Sequence, residues 1–258
     1  MILFDSHCHL DDKRYDKDID AVMDRAKAED VRGVMVVGID LATSQKAVQI
    51  AQSHEQVITS VGIHPHNAKK CSQNILDELI RLAETNDCVK AWGEIGLDFN
   101  RMFSPAKDQE ACFIAQMQIA GSLNLPLIFH ERDSNGRFYD ILSVHRPKHC
   151  KAVIHCFSGN KEELFKYLDL GLYIGVTGIV TIEKRGQSLR KLIPHIPDDR
   201  LIIETDAPYL TPVPQKNKYN RNEPAFVKSV LLKLAEIRGQ DPEVLSQIVF
   251  ENTCRLYT

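Results

Sequence analysis

The stretch Asp5-Ser6-His7-Cys8-His9-Leu10 puts two imidazoles at the end of the short apolar run that opens the chain. Residues two apart on a β-strand point to the same face, so His7 and His9 can reach into one pocket together. Four more residues of metal-binding types end similar apolar runs: Glu94 in GEIGLD, His130 in PLIFHERD, His155 in VIHCFSG and Asp206 in ETDAPYL. Strand ends converge only when the strands are parallel neighbours in one sheet or barrel. The pattern therefore predicts parallel strands whose carboxyl ends surround a metal site.

Eight short β-prone runs alternate with helical patterns along the chain. The predicted strands cover residues 2–6, 34–39, 57–63, 89–94, 126–130, 152–156, 172–176 and 201–205. Most are nearly continuous in apolar residues, which is typical of parallel strands covered on both faces. The length of 258 residues is close to the roughly 250 of one (β/α)8 barrel. We therefore predict an α/β protein with a single (β/α)8 TIM barrel of the metal-dependent hydrolase type over residues 1–258.

Local signals place several helices and one long loop. Apolar residues at helical spacing in 19–26 and 75–83 predict two amphipathic helices. Ser104-Pro105 is typical of an N-cap followed by proline at the first helical position, so a long helix is expected from there to about residue 123. Asp241-Pro242 repeats this signal before the last helix. The proline-rich segment 208–224 is expected to form a loop over the mouth of the barrel.

The composition is that of a globular protein, with 43% hydrophobic and 26% charged residues and a net charge of −3. This charge gives no global attraction to nucleic acid or to an anionic membrane, so a phosphate-bearing substrate needs local cations or bound metal. No apolar run approaches the ~18 residues of a membrane helix. The seven cysteines form no CxxC pair, and the opening residues do not resemble a secretory signal. We therefore expect a cytoplasmic protein with no membrane association.

The simplest partition of the six residues forms two metal sites. Barrel closure places the eighth strand beside the first. The first site then has three ligands: His7, His9 and Asp206. His130 and His155 bind the second ion, and Glu94 lies between the two sites. Each histidine alone is more often a hydrogen-bonded core residue, but together these nitrogen and oxygen ligands suit Zn, Mn, Fe or Co, whereas oxygen-rich sites suit Mg.

Other residues near the strand ends are candidates for binding the substrate. His64 ends the third strand and is expected to face the substrate, whereas His66 is interpreted as loop structure. Arg132 can hold a phosphate, although a surface salt bridge explains it almost as well. Glu204 lies on the same strand face as Asp206, so it can face the pocket and orient a ligand, a water or the substrate.

Three further residues have weaker interpretations. Arg221, in the loop over the mouth, is equally well explained as a solvated side chain. Cys8 and Cys156 adjoin ligands in the sequence, and we expect both thiols to be buried packing groups rather than ligands.

The motifs together resemble the TatD family of metal-dependent deoxyribonucleases, within the amidohydrolase superfamily of barrels. The resemblance spans essentially the whole chain, in these segments: DSHCHL, VGIHPH, GEIGLDFNR, FHERDS, HCFSG, YIGVTGIV, LIIETDAPYL, NRNEP and NTCRLY. GEIGLDFNRMFSP and YIGVTGIV are particularly similar to the branch that gives the family its name. The family's usual His-x-Arg-x-Ala ends here in Ser134, so the ligand and the arginine are retained and only the small residue differs. The first-strand His-x-His, which some members lack, is present and implies two divalent ions (Mg, Mn or Zn).

The resemblance implies a metal-dependent hydrolase of DNA phosphodiester bonds, often a 3′→5′ exonuclease on single-stranded ends. The resemblance also implies roles in DNA repair and in DNA fragmentation during cell death, which have been proposed for the family. In our hypothesis Glu94 bridges the two ions that activate a water, and Asp206 takes the proton from that water. The expected partner is single-stranded DNA, and a monomer is favoured.

Two other functions stay open. Related barrels cleave cyclic amides, lactones and phosphotriesters, and a metal pair alone does not choose among these bonds. Several of those barrels use a carboxylated lysine as the bridge, so Glu94 favours the nuclease branch. The other alternative is a non-catalytic metal-binding accessory protein, but such a protein is expected to have lost ligands and none is missing here.

Overall fold

Eight parallel strands form one sheet in the computed structural model, which describes residues 1–257. Thr258, the last residue of the expected barrel domain, lies outside the described residues. The strands are β1 Leu3–Cys8, β2 Val31–Val37, β3 Val57–Val61, β4 Val89–Asp98, β5 Leu127–Arg132, β6 Ala152–Ile154, β7 Tyr173–Val176 and β8 Leu201–Ile203. Each strand pairs in parallel with the next one along the chain. This order confirms the predicted (β/α)8 architecture.

Hydrogen bonds between the first strand and the residues after the last strand close the sheet into a barrel at its carboxyl end. The backbone N–H of Asp206 donates to the carbonyl of His7 over 2.9 Å, and that of His9 donates to the carbonyl of Ala207 over 2.6 Å. The buried carboxylate of Asp5 reinforces this seam, because it accepts from the backbone N–H of Thr205 at 2.8 Å and from its hydroxyl at 2.5 Å. Closure therefore brings the two chain regions of the first expected metal site together.

Helices connect the strands and cover the outside of the barrel. They are α1 Ile19–Ala28, α2 Leu41–Ser53, α3 Gln73–Thr85, α4 Ala106–Leu123, α5 Arg137–His145, α6 Lys161–Asp169, α7 Gln187–Leu192, α8 Val227–Arg238 and α9 Pro242–Tyr257. The predicted helices at 19–26 and 75–83 are thus confirmed as α1 and α3. Among the helices within residues 1–257, none combines the length and apolarity that a membrane crossing requires.

An apolar layer fills the amino end of the barrel, away from the metal-binding residues. It includes side chains from seven of the strands: Phe4, Met35, Val37, Ala91, Ile128, Val153, Tyr173 and Ile202. Helix α9 covers this end, since the rings of Phe4 and Phe250 lie 6.3 Å apart and the hydroxyl of Tyr257 donates to the carbonyl of Ser6 at 3.1 Å. With the amino end packed, the carboxyl ends of the strands form the open mouth.

The strand boundaries differ from the predicted ones mainly at the carboxyl ends. Strand β4 continues to Asp98, beyond the predicted end at Glu94, whereas β6 and β8 end earlier, at Ile154 and Ile203. His155 and Asp206 therefore lie on the short segments after their strands. Periodicity could not show this, because the chain leaves the sheet without changing its apolar pattern.

One of the two predicted helix starts is confirmed and the other is wrong. The carboxylate of Asp241 accepts from the backbone N–H of Glu243 at 2.7 Å, so it caps α9 as predicted. Helix α4 instead begins at Ala106, and Ser104 does not cap it. The hydroxyl oxygen of Ser104 accepts the backbone N–H of Lys69 at 3.0 Å, and the hydroxyl donates to the carbonyl of His66 at 2.9 Å. Tertiary contacts therefore occupy the acceptor that the cap would need.

The segment 208–224 connects β8 to α8, and its first residues, Tyr209 and Leu210, line the mouth. Arg221 in this segment is not merely solvated, because its guanidinium donates to Asp18 at 2.8 Å and to Glu223 at 3.2 Å. It also lies 4.6 Å from the ring centroid of Tyr15. Arg221 therefore fastens the segment to the residues before α1.

Two buried glutamines on α4 hold the ends of β3 and β4. The side chain of Gln116 accepts from the backbone N–H of Ile63 at 2.7 Å and donates to its carbonyl at 2.9 Å. It also accepts from the indole N–H of Trp92 at 3.2 Å. Gln109 likewise bonds both backbone groups of Asp98. Its side chain accepts the N–H at 2.8 Å and donates to the carbonyl at 3.1 Å. Helix α4 thereby fixes the backbone next to the mouth.

Candidate metal centre

The ends of β1, β4 and β8 bring a first group of donors together. The Nε2 atoms of His7 and His9 lie 3.3 Å apart. Both face one oxygen of Glu94, Oε2, at 3.4 and 3.8 Å, and both face Oδ1 of Asp206, at 4.0 and 3.4 Å. Four donors thus surround one point, as the predicted first site requires.

A second group of donors lies on the other side of the same carboxylate. The Oε1 atom of Glu94 is 2.7 Å from Nδ1 of His130, 3.2 Å from Nε2 of His155 and 3.5 Å from Nε2 of His64. The two oxygens of Glu94 therefore face two different sets of imidazoles. The sequence predicts that Glu94 lies between two metal sites, and its carboxylate does lie between two sets of histidine nitrogens.

The partner of the remote ring nitrogen sets the tautomer of each histidine. Nδ1 of His9 faces the carbonyl of Val37 at 3.2 Å, and Nδ1 of His155 faces Glu204 at 3.1 Å. Each of these nitrogens carries a proton toward its acceptor, which leaves the Nε2 lone pair free to bind a cation. His130 is arranged in the same sense, because its Nε2 faces Asp98 at 3.3 Å and its Nδ1 faces the centre.

His64 has the opposite arrangement. Its Nδ1 accepts the backbone N–H of His66 at 3.0 Å, so the neutral ring carries its proton on Nε2. Burial lowers the pKa of His64 to about 4, which keeps this ring neutral at physiological pH. His64 therefore presents a hydrogen-bond donor to the centre rather than a ligand lone pair.

The carboxylates of the centre stay ionised although they are buried. Burial would raise the pKa of Glu94, but the imidazoles of His155 and His64 outweigh burial and hold it well below its ordinary value. Burial also opposes ionisation of Asp206, but the hydrogen bond between Asp206 and His9 outweighs burial and lowers the pKa of Asp206. Both carboxylates are thus available as anionic ligands at neutral pH.

The histidine pKa values follow from the same contacts. Burial lowers the pKa of His7. Burial also acts against the charged form of His9, yet the bond to Asp206 raises its pKa to about 9. For His155 the charges of Glu94 and Glu204 outweigh burial and raise the pKa well above its ordinary value. Protons on the rings of His9 and His155 supply the positive charge that the buried carboxylates require.

This donor set fits divalent cations. Three overlapping groups of ligand atoms each lie within 4.8 Å of one another. Two of them share Glu94: His7 with His9 and Glu94, and His64 with Glu94 and His130. Cations bound by Glu94 and the histidines other than His64 would replace the protons as the positive charge, and mixed imidazole and carboxylate ligands are typical of Zn and Mn sites.

Unusual backbone conformations aim several of these side chains. Cys156 and Asp206, which follow β6 and β8, have φ angles of 47° and 56°. Non-glycine residues adopt this left-handed region at a cost of about 1–3 kcal/mol and cluster at functional sites. Gly96, with φ 142°, allows β4 and β5 to approach closely, since a Cβ there would lie 1.9 Å from the carbonyl of His130.

Glu204 lies behind the centre rather than in the mouth. It is 1% exposed, and its Oε1 faces Nδ1 of His155 and accepts the backbone N–H of Cys156 at 2.5 Å. Its other oxygen lies 3.5 Å from the hydroxyl of Ser6. Glu204 is in direct contact with these partners and does not face the mouth. The arrangement therefore supports the orienting role that the sequence suggested, with His155 as the oriented residue, rather than a contact with the substrate.

A cleft of about 420 Å³ opens onto the centre, and a second one of about 380 Å³ adjoins it. Arg132 and Arg185 line both clefts, and Arg101 lines the first. None of these three guanidinium groups has a hydrogen bond or ion pair to another side chain or carbonyl within residues 1–257. The mouth therefore carries local cations despite the negative charge of the whole protein, and the predicted salt bridge of Arg132 is absent among the described residues.

A sequence model described as TatD related DNase matches residues 4–258. The chain belongs to the TatD-related DNase family. It is 40% identical over 258 residues to a protein of Pectobacterium carotovorum subsp. carotovorum (strain PC1) named 3′-5′ ssDNA/RNA exonuclease TatD, and the match covers 99% of each chain. This finding confirms the resemblance that the sequence motifs carry.

Solved structures of TatD proteins are similar along the whole chain. A TatD family hydrolase from Entamoeba histolytica has a TM-score of 0.90 and 28% identity, with 100% of this chain and 98% of that chain covered. A TatD homologue from Escherichia coli k12 has a TM-score of 0.89 and 28% identity, with 99% and 97% covered.

Sequence reasoning missed one acidic residue of this TatD-related centre and misjudged one histidine. Asp98 is 1% exposed, and its Oδ2 lies 2.7 Å from Nε2 of His66 and 3.3 Å from Nε2 of His130. His66 lies in a short 3₁₀ helix, Pro65–Lys70, and lines the cleft rather than only shaping a loop. The signal was available, because Glu94 and Asp98 are four apart on β4 and therefore share a face.

The two thiols beside the ligands differ from each other. Cys8 is fully buried and its thiol faces the carbonyl of Met35 at 3.3 Å, as expected of a packing group. Cys156 is only partly buried and lines the adjoining cleft. The expectation that Cys156 is buried is therefore wrong, because its left-handed backbone turns it toward the mouth.

Proposed function

We propose that this protein is a divalent-metal-dependent exonuclease that removes nucleotides from the 3′ ends of single-stranded DNA. The observation that carries the proposal is the position of Glu94, whose two oxygens face separate groups of histidine nitrogens. Two ions held close together form an arrangement that many nucleases and phosphatases use to hydrolyse phosphate esters. The name of the 40% identical Pectobacterium protein supports the direction and the substrate.

We assign the ligands to two ions that share one carboxylate. His7, His9 and Asp206 would hold one ion, His130 and His155 would hold the other, and Glu94 would serve both. When bound, such ions would polarise a phosphoryl oxygen and lower the pKa of a bound water toward ~7. The histidine-rich set supports Mn or Zn, with Mg as the alternative.

The side chains at the open face handle the proton and the phosphate charge. Asp206 accepts the proton from water as the water oxygen bonds to phosphorus and the phosphorus–oxygen ester bond breaks. Its carboxylate is 15% exposed and lines the cleft, so a water can reach it. The Nε2 proton of His64 and the guanidinium of Arg132 face the phosphate oxygens, and the departing oxygen takes a proton from solvent.

A metal-reconstituted assay on end-labelled oligonucleotides tests this function. With Mn²⁺, a 5′-labelled single strand should shorten stepwise from its 3′ end, and EDTA or Glu94→Ala should abolish the ladder. Duplex DNA, single-stranded RNA and a panel of lactones and cyclic amides form the other arms. Turnover of the lactones or amides without cleavage of any oligonucleotide would reject the nuclease assignment. Bound metal without turnover on any arm would support an accessory protein.

The Asp206→Asn substitution tests the proton acceptor. An amide keeps an oxygen near His9 but cannot take a proton, so we expect turnover to fall about 10²–10⁴-fold. At least one ion per chain should remain, because the other ligands are unchanged. Metal content by mass spectrometry and initial rates measure the two effects, with the exposed Asp169→Asn on α6 as control. Undiminished turnover would reject Asp206 as the base.

The physiological role belongs to the same proposal. From the family resemblance we infer a function in DNA repair, carried out in the cytoplasm by a monomer. A strain without the gene should be more sensitive to DNA-damaging oxidants, and the Asp206→Asn protein should fail to restore resistance. Fractionation and light scattering of the purified protein test location and oligomeric state.

A further inference from the structure

The loop between β4 and α4 presents a large apolar side chain to solvent beside the cleft. We call residues 99–105 the rim loop. Phe103 is 56% exposed and Met102 is 47% exposed. The preceding residue, Arg101, is also exposed, and it lines the cleft together with Asp98. Scattered exposed apolar residues are common, so exposure alone assigns no role to Phe103.

The rim loop is fixed at both ends, which distinguishes it from a loosely held surface turn. At its start, Oδ1 of Asp98 accepts the backbone N–H groups of Asn100 at 3.0 Å and Arg101 at 2.8 Å. At its end, Ser104 is fully buried and bonded to His66, and Gln109 donates to its carbonyl at 2.8 Å. Phe103 is therefore held in place by the same residues that build the metal centre.

The position of Phe103 connects it to the second group of donors. Its ring centroid lies 4.8 Å from that of His66, and His66 lies 4.2 Å from His64 and 6.2 Å from His130 by the same measure. A row of rings thus leads from the centre to solvent. A nucleotide whose phosphate lies at the centre would have its base within reach of this row.

Another exposed aromatic ring at the mouth, that of Tyr209, already contacts a cationic side chain of the protein. Tyr209 lies 6.2 Å from His9, on the side of the first group of donors, and the guanidinium of Arg14 lies over its ring at 4.8 Å. No cation lies over the ring of Phe103 within residues 1–257. Of these two rings, Phe103 is therefore the one available to a base.

We propose that Phe103 stacks on a base next to the scissile phosphate and that Arg101 binds a neighbouring backbone phosphate. The proposal rests on the proposed nuclease function and deepens it, because it names what selects unpaired bases. Inside a duplex both faces of a base are covered by its neighbours, so Phe103 favours a base that is free of its partner strand. Every base has an aromatic face, so the contact tolerates any sequence.

Trinucleotides that permit a single first cleavage test the stacking. Loss of one base–aromatic contact lowers binding roughly 5–100-fold, so Phe103→Ala should raise the KM for a normal trinucleotide by that factor with a smaller change in kcat. Phe103→Trp should restore the KM, and Phe103→Leu should not. Phe165→Ala, which removes an exposed ring from α6, is the matched control.

Abasic substrates separate stacking from damage to the loop. On trinucleotides that lack one base at each position in turn, wild type and Phe103→Ala should become equal at one position. An equal KM for both proteins on the normal trinucleotide, or an undiminished difference at every abasic position, would overturn the stacking proposal alone. If wild type with metal cleaves no oligonucleotide, the nuclease function itself fails and the stacking role falls with it. Thermal melting and metal content of Phe103→Ala verify that fold and centre are intact.

Discussion

At the scale of single residues, the chemistry of the centre depends on which nitrogen of each imidazole is free. His155 is held by Glu204 through Nδ1, so its Nε2 lone pair points toward Glu94. Partners of this kind fix the ring and raise the basicity of the ligand, and their loss typically costs 10–100-fold in metal affinity or activity. We therefore expect Glu204 to affect metal binding without contacting the substrate.

The Glu204→Gln variant tests this role. The amide oxygen can still accept from His155, but the negative charge that favours its Nδ1–H is gone, so we expect metal affinity to fall about 10–100-fold. Competition with a chromogenic chelator measures the affinity, and the KM for single-stranded DNA at saturating metal should stay near that of wild type. A raised KM at saturating metal would instead indicate a substrate contact.

The sequence could bring the candidate ligands together because each ends a β-prone apolar run. His7, Glu94 and His130 needed only strand assignment and the two-residue repeat of a strand. The spacing of four from Glu94 was the one sequence signal for Asp98, but β4 extends past the predicted end and the bonds to His66 and His130 are tertiary. The same limit applies to Glu204, whose position behind His155 follows from where β8 ends.

At the scale of elements, α4 fixes the strand ends that carry the centre. Gln116 bonds both backbone groups of Ile63 and the indole of Trp92 in a fully buried environment. Gln109, seven residues earlier on the same helix face, does the same for Asp98. Polar groups without partners in such a place cost about 1–3 kcal/mol each.

Replacement of Gln116 by leucine should therefore destabilise the protein by about 2–4 kcal/mol. The substitution keeps the size of the side chain and removes the partners of Ile63 and Trp92. Urea unfolding followed by circular dichroism gives the free energy of unfolding. The exposed Gln118→Leu, two residues along α4, should change it by less than about 0.5 kcal/mol. Equal stability of the two variants would contradict the role assigned to Gln116.

The sequence also predicted helices better than it predicted their first residues. Periodicity is a property of many residues, so α1 and α3 were recognisable from their apolar stripes. A cap depends on one hydroxyl or carboxylate, and a single competing partner overrides it. Asp241 has no such competitor and caps α9, whereas Ser104 bonds His66 and leaves α4 to begin at Ala106.

At the scale of the whole molecule, the seam between β1 and β8 creates the centre. Asp5 is buried there, and burial raises its pKa to about 8. Because of this raised pKa, Asp5 is uncharged at neutral pH, and asparagine is uncharged as well. Its side-chain oxygen still accepts the N–H of Thr205, so Asp5→Asn should change the free energy of unfolding by no more than about 1 kcal/mol. Asp5→Ala removes the acceptor of two buried donors, the N–H and the hydroxyl of Thr205, and leaves the hydroxyl only the bond that it accepts from Ala207. This substitution should cost about 2–4 kcal/mol. Denaturant unfolding of the two variants measures the difference, and equal stabilities would contradict this role for the seam.

The barrel itself could be predicted from alternation and length, since few folds place eight parallel strands in sequence order. The details at its mouth could not. The rim loop, the unpaired arginines and the backbone of Asp206 depend on how each strand end leaves the sheet, and local patterns do not encode that.

The central claim is that Glu94 lies between two divalent ions, and anomalous diffraction from crystals soaked in Mn²⁺ tests it most directly. The account predicts two anomalous peaks, one beside each oxygen of Glu94. The first should lie within bonding distance of His7, His9 and Asp206, and the second of His130 and His155. A single peak away from Glu94, or no peak at the mouth in protein that degrades single-stranded DNA, would contradict it.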